Sequence, residues 1–308
     1  MIEAHSLTKR YGSKTAVDGI DFSVAAGRVT GFLGPNGAGK STTMRMIVGL
    51  DRPTSGTVTI NGVSYATFRA PLHEVGVLLD AKAVHPGRSA RNHLRALAAT
   101  HRIRPARVDE VIGLTGLDSV ADKRVNGFSL GMGQRLGLAA ALLGDPATLI
   151  LDEPVNGLDP EGVMWVRQLA RGLAAEGRTV FLSSHLMSEM AQTAEHLIVL
   201  GRGRVLADAP VSEILAKASD DSVLVRASDA DRLNALLVDH GGVVAHVETG
   251  QLSVRGIAAP RIAELAAAAE SLVIHELTPV SKSLEEAYMQ LTRDEVEYPA
   301  SQTRSEKR

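Results

Sequence analysis

Gly34-Pro35-Asn36-Gly37-Ala38-Gly39-Lys40-Ser41 is the stretch that decides how the rest of the chain reads. Before it, Arg28 to Leu33 is a compact apolar run of strand character. After it, Ser41 to Leu50 has helical spacing and is followed by Asp51-Arg52-Pro53, which predicts the helix end. Glycines between a strand and a helix permit tight turns, so several backbone N–H groups can converge on one point. The helix start adds its positive end to the same point, which makes an anion site. The spacing G-x-x-x-x-G-K-[ST] identifies a phosphate loop, in which Lys40 brings a point charge to the terminal phosphates and the Ser41 hydroxyl is placed for Mg²⁺. A chance glycine-rich turn would need neither the preceding strand nor the following helix.

Outward from this loop, strands and helices alternate. Ile2 to Thr8, Ala16 to Val24 and Gly56 to Asn61 read as strands, the last with a turn at Asn61-Gly62. From about residue 81 to Gly144 the chain turns helical, with Ala90 to Thr100 and Ala106 to Leu114 the clearest pieces. Thr148 to Leu151 is a short buried strand. Pro160 to Glu176 (helix), Thr179 to Ser183 (strand), Leu186 to Ala194 (helix) and His196 to Leu200 (strand) follow. Such alternation predicts an α/β unit with a mostly parallel sheet covered on both faces.

A second unit is expected from near Asp220. Its pieces are Ser222 to Ala227, Asp229 to Asp239, Val243 to Val247, Leu252 to Arg255, Ala259 to Ala269 and Leu272 to Leu277. The order is β-α-β-β-α-β, the split pattern of a ferredoxin-like domain, with an irregular α+β appendage as the alternative. Ser281 to Leu291 reads as one more amphipathic helix, and residues 299–308 as a polar, flexible tail.

Composition bounds the function. The 308 residues allow one large domain or two at roughly 150 residues each. The chain is 44% hydrophobic and 22% charged, ordinary for a globular protein and unlike a disordered one. Lys plus Arg number 33 against 35 Asp plus Glu, so the basic field of a typical nucleic-acid binder is missing. With no cysteine, disulfides, zinc ribbons, iron–sulfur clusters and thiol catalysis are excluded, and a reducing compartment suits the chain. Met1 to His5 lacks the pattern of a targeting signal. The longest apolar run, Leu136 to Leu143, is far below the ~18 to 20 residues that cross a bilayer, so the chain is not expected to span a membrane itself.

A second chemical motif is Leu149-Ile150-Leu151-Asp152-Glu153, an apolar strand ending in two carboxylates. At the carboxyl end of a parallel strand such residues face the ligand crevice. Asp152 suits the Mg²⁺ shell, and Glu153 suits orienting and polarising an attacking water. Alone, this would be a solvated strand end; beside a phosphate loop it reads as a nucleotide-hydrolysis site. His185, after the strand Thr179 to Ser183, reaches the same edge, where it could hydrogen-bond a γ-phosphate. A lone histidine there is otherwise a surface residue.

Phe128-Ser129-Leu130-Gly131-Met132-Gly133-Gln134-Arg135 lies just before the carboxylate motif and resembles the signature of the ABC ATPases, usually L-S-G-G-Q. With Gly34 to Ser41, Leu149 to Glu153, Gly157-Leu158-Asp159 and His185, the chain carries the ordered motif set of an ATP-binding cassette over about 210 residues. The resemblance implies a P-loop cassette, residues 1–215, with a β-subdomain and a helical signature subdomain at about 81–145. A small accessory α+β domain at 220–292 would follow it. It implies ATP and Mg²⁺ as ligands. Gly34, Pro35, Asn36, Gly37, Ala38, Gly39, Lys40, Ser41 and Thr42 would cradle the phosphates, and Tyr11 would stack on the adenine. Ser129 and Gly131 would contact ATP held by a second copy, and Asp159 would help align the water across the dimer interface. Glu153, His185 and Lys40 would be catalytic.

Two departures stand out. Asp80 follows Val77-Leu78-Leu79 where the family places a glutamine that senses Mg²⁺, water and the membrane partner; a carboxylate can approach the metal but cannot donate as an amide does. Leu130 and Met132 replace the first glycine and the glutamine of the signature. The stretch His85 to Leu94, the Ser129 to Met132 variant and the ending Ser283 to Tyr288 resemble the bacterial daunorubicin and antibiotic-resistance exporter ATPases. The function implied is a homodimeric energy-coupling subunit on the inner face of the cell membrane. It would drive a separate integral membrane permease, exporting a drug or other hydrophobic compound. A soluble cassette acting on nucleic acid or ribosomes is the rival, usually marked by tandem cassettes, coiled-coil insertions or zinc cysteines. A small-molecule kinase would leave the Ser129 to Arg135 motif and His185 unexplained.

Overall fold

Alternating burial makes the first two strands of the computed structural model, which describes residues 1–80, 83–218, 222–269, 272–280 and 283–292. These are β1 (Ile2–Tyr11) and β2 (Lys14–Val24), burying Ile2, Ala4, Leu7, Val17, Ile20, Phe22 and Val24. Then come β3 (Val29–Leu33), α1 (Lys40–Ile47), β4 (Ser55–Ile60), α2 (Pro71–Glu74) and β5 (Val75–Leu78). A helical stretch, α3 (Ala90–Thr100), α4 (Pro105–Leu114) and α5 (Leu130–Leu142), precedes β6 (Thr148–Leu151). The unit closes with α6 (Pro160–Ala175), β7 (Thr179–Ser183), α7 (Met187–Thr193), β8 (His196–Gly201) and β9 (Arg204–Pro210); α8 (Val211–Ala218) follows.

These strands form two sheets in the unit built on Met1–Val211. β2-β1-β4 is antiparallel, and β5-β6-β7-β3-β8-β9 is parallel from β5 to β8, with β9 antiparallel at the edge. Every residue of β3, β6, β7 and β8 is buried, which is why these strands read as continuous apolar runs. Phe22, Phe32 and Phe181 pack their rings at centroid distances of 4.9–6.0 Å between the two sheets. In this order β7 lies between β3 and β6, so the phosphate loop and the two carboxylates flank the end of β7.

Most elements fall where the sequence puts them, and the differences have physical reasons. α1 ends at Ile47, short of Leu50; Asp51 folds back to pair with the Arg45 guanidinium at 2.8 Å, and Leu50 is exposed. β9 and α8 have no counterpart in the sequence reading, since β9 is a half-exposed edge strand with a weak apolar pattern. The last strand of the second unit starts at Ile274, later than Leu272, and runs to Val280. Residues 220, 221 and 299–308, as well as 81 and 82 at the start of the expected helical stretch, lie outside the described residues.

The second unit, Ser212–Gln290, contains β10 (Ser222–Ala227), α9 (Ala230–Asp239), β11 (Val243–Glu248), β12 (Gln251–Arg255), α10 (Ala259–Ala268) and β13 (Ile274–Val280); α11 (Leu284–Thr292) comes last. The sheet order is β11-β12-β10-β13 with every pair antiparallel. Placing the first strand between the third and the fourth is the split β-α-β-β-α-β arrangement that its element order suggests. Val223, Val225, Leu252 and Val254 form one apolar face, filled by Leu233 and Leu237 of α9 and by Ile262 and Leu265 of α10.

Candidate active site

The phosphate loop leaves β3 at Gly34 and enters α1 at Lys40. Gly39 caps that helix with φ 104°, and a Cβ there would lie 2.5 Å from the Ala16 carbonyl oxygen; only glycine fits both demands. Lys40 Nζ donates to the Gly34 carbonyl at 2.6 Å and to the Pro35 carbonyl at 3.3 Å. The loop thus curls around its own lysine. Burial pulls the Lys40 ammonium below the usual lysine range, while Glu153 and Asp152 act to keep it charged. An open cleft lies over the loop, lined by Tyr11, Lys14, Ala16, Pro35 to Thr42, Asp152 and Glu153. The phosphate loop and the paired carboxylates therefore meet in one cavity. Tyr11 stands at this cleft with its hydroxyl donating to Asp51 Oδ2 at 2.9 Å, the oxygen that Arg45 also binds, and Lys9 Nζ lies 5.0 Å over its ring.

At the end of β6, Glu153 takes a left-handed main-chain conformation, φ 49°, uncommon for a side chain of its kind. Its surroundings hold it there. The Glu153 N–H donates to Ser183 Oγ at 2.9 Å, and the Ser183 hydroxyl donates to Asp152 Oδ1 at 2.5 Å. One serine at the end of β7 thus ties both carboxylate residues. The Glu153 carbonyl accepts from the buried Gln134 amide of α5 at 2.9 Å. His185 Nδ1 lies 2.7 Å from Glu153 Oε2, the contact an imidazole N–H makes with a carboxylate. Sequence reading gives no role to Gln134 or Ser183. Their signals are a lone amide on the buried side of an apolar helix and a hydroxyl closing a wholly buried strand.

Ser129 and Gly131 sit at the start of α5 and do not line this cleft. Ser129 caps the helix, accepting from the Met132 N–H at 3.2 Å. The Gly157 segment packs closely on that start: a Cβ on Gly157 would fall 2.4 Å from Leu130, and Gly157 has φ 75°. Asp159 caps α6 by accepting from the Gly162 N–H at 3.0 Å, with Pro160 next in the helix. Asp159→Ala is expected to cost about 1 kcal/mol of stability in denaturant unfolding, whatever else the residue does. Asp80 follows β5, beside β6, but is outside the cleft lining, unlike Ser41 and Asp152.

The ABC transporter family model matches residues 17–156, and a domain of unknown function matches residues 221–285. The bacitracin transport ATP-binding protein BcrA of Bacillus licheniformis is 39% identical over 243 residues, 78% of this chain and 79% of the relative. The Nod factor export ATP-binding protein I of Rhizobium meliloti is 37% identical over 80% of this chain and 75% of its own length. A solved ATP-binding subunit of an ABC transporter superposes with a TM-score of 0.64 at 26% identity, over 70% of this chain and 92% of that one. The phosphate cleft, the paired carboxylates at the end of β6 and these relatives agree: the chain belongs to the ABC transporter family, as an ATP-binding, ATP-hydrolysing subunit.

Proposed function

We propose that two copies of this subunit sandwich two MgATP molecules on the inner face of the cell membrane and drive a separate permease that exports a drug or other hydrophobic compound. Support for export and for such a cargo comes from the relatives named for bacitracin transport and Nod factor export. Among the described residues, no helix is long and apolar enough to cross a membrane, so a permease would have to supply the passage.

Within each copy, the backbone of Pro35 to Thr42 would hold the phosphates, Lys40 would neutralise the terminal ones, and Tyr11 would carry the adenine. Ser41 and Asp152, hard oxygen donors in one cleft, fit Mg²⁺, which favours one or two protein oxygens plus phosphate and water. There the ion would screen the charge on the β- and γ-phosphates. Asp80 follows β5, beside the strand that leads to Asp152, and is not among the residues that line this cleft. Glu153 would take the proton of the attacking water. His185, with Nδ1 on Glu153, has Nε2 to offer the γ-phosphate; donating to both requires both ring protons.

The observation that carries the dimer is the separation of the two motifs. The cleft holds the phosphate loop and Glu153 but neither Ser129 nor Gly131, so each copy presents half of two composite sites. Lys40→Ala and Ser129→Arg subunits, each inactive alone, are expected to regain phosphate release when mixed. In the heterodimer one site carries both lesions and the other carries neither. Silence of a demonstrated heterodimer would count against independent sites. A turnover per subunit that stays constant down to concentrations where only monomer exists would defeat the composite site.

A further inference from the structure

We infer that Gln134 is a positioning residue for hydrolysis: its side-chain amide holds the Glu153 main chain and so links the signature helix of a subunit to the carboxylate of that subunit's own cleft. The inference rests on the assignment of Glu153 as the base.

The geometry is specific. Gln134 is 4% exposed, on the inward side of α5, with Leu138 one turn further along the same face also buried. Its Nε2 donates to the Glu153 carbonyl at 2.9 Å. That carbonyl belongs to a residue held at φ 49°, a conformation that persists only when its surroundings impose it. Two anchors impose it: Ser183 Oγ takes the N–H from one side, and Gln134 grips the carbonyl from the other. The same oxygen also accepts from the next turn, through the Asn156 N–H at 3.2 Å. With the main chain gripped on both sides of the Cα, the direction of the Glu153 side chain is set. Without the amide, the carbonyl loses a buried donor and the main chain can relax toward ordinary angles, swinging the carboxylate.

The second consequence concerns communication. Gln134 lies within one turn of Gly131 on α5, the helix that Ser129 caps. If the start of α5 faces the partner's ATP, the same helix bears on both composite sites of the dimer through its start and through the Gln134 amide.

Gln134→Met keeps length and packing but removes the donor. Its expected effect is a fall in kcat of about tenfold to a hundredfold, the loss that follows a displacement of roughly 1 Å in a catalytic group, with KM for ATP within about twofold. The effect is also expected to vanish when Glu153 is already neutralised: Gln134→Met/Glu153→Gln should turn over no more slowly than Glu153→Gln alone. A loss of equal size in both backgrounds would mark a merely structural residue and overturn the proposal. Gln134→Glu provides a second reading in case the methionine variant fails to fold. A protonated carboxylic acid can donate to the Glu153 carbonyl and an ionised one cannot, so the activity of this variant relative to wild type should rise as pH falls from about 8.5 to about 5.5. A flat ratio, or wild-type kcat in Gln134→Met with Glu153→Gln inactive, would overturn the role of Gln134 and leave Glu153 as the base. Near-normal turnover in Glu153→Gln itself would overturn both.

Discussion

Glu153→Gln is expected to keep ATP binding and lose nearly all turnover. The amide has the size of the carboxylate and makes no new demand on the left-handed main chain, which Ser183 and Gln134 hold by backbone atoms. What it lacks is the basic oxygen that takes a proton from water. A positioned general base contributes about 10²- to 10⁴-fold, or about 3–5 kcal/mol of barrier. Removing a negative charge from a cleft built for polyphosphate also lessens repulsion, so the ATP-bound dimer should persist rather than dissociate. Phosphate release and size-exclusion chromatography with MgATP read the two effects separately. Turnover near wild type would remove Glu153 from the chemistry.

Lys40→Ala is expected to act one step earlier, on binding. The ammonium sits on the Gly34 and Pro35 carbonyls inside the loop, depressed in pKa by burial and kept charged by Glu153 and Asp152. A bound polyphosphate brings more negative charge to it than those two carboxylates do. Its deletion removes a hydrogen bond to a charged group, worth about 1.5–3 kcal/mol, so the Kd for MgATP should rise roughly ten- to hundredfold. Titration calorimetry checks this directly. Equal affinities in wild type and variant would contradict the placement of Lys40 against the phosphates. Together the two substitutions separate binding from chemistry, since Lys40→Ala should weaken occupancy while Glu153→Gln should leave the site occupied and idle.

The local chemistry of the site is legible in the order of the residues alone. Gly34 to Ser41, between an apolar strand and a helical run, and Leu149 to Glu153, ending a buried strand in two carboxylates, declare themselves through composition and short-range spacing. The ends of β6, β7, β10 and α3 are readable to the residue for the same reason: continuous burial or clean periodicity, bounded by turn residues. Edge elements are not. β9, half-exposed and mixed in composition, carries too little pattern to be seen locally.

Only the tertiary structure decided how the motifs meet. The sheet order β5-β6-β7-β3-β8-β9 puts β7 between β3, which leads into the phosphate loop, and β6, which leads to Glu153, although β7 comes after both in the chain. Ser183 thereby becomes the group that ties Asp152 to Glu153, and α5 packs so that Gln134 reaches the Glu153 carbonyl. The phosphate loop, the carboxylate pair and the signature run are each a property of a few adjacent residues, because backbone turns, helix starts and strand ends are made by neighbours. Strand order and the side-chain bonds across it come from which crossover helices cover which sheet face, a global packing solution that sequence spacing does not contain.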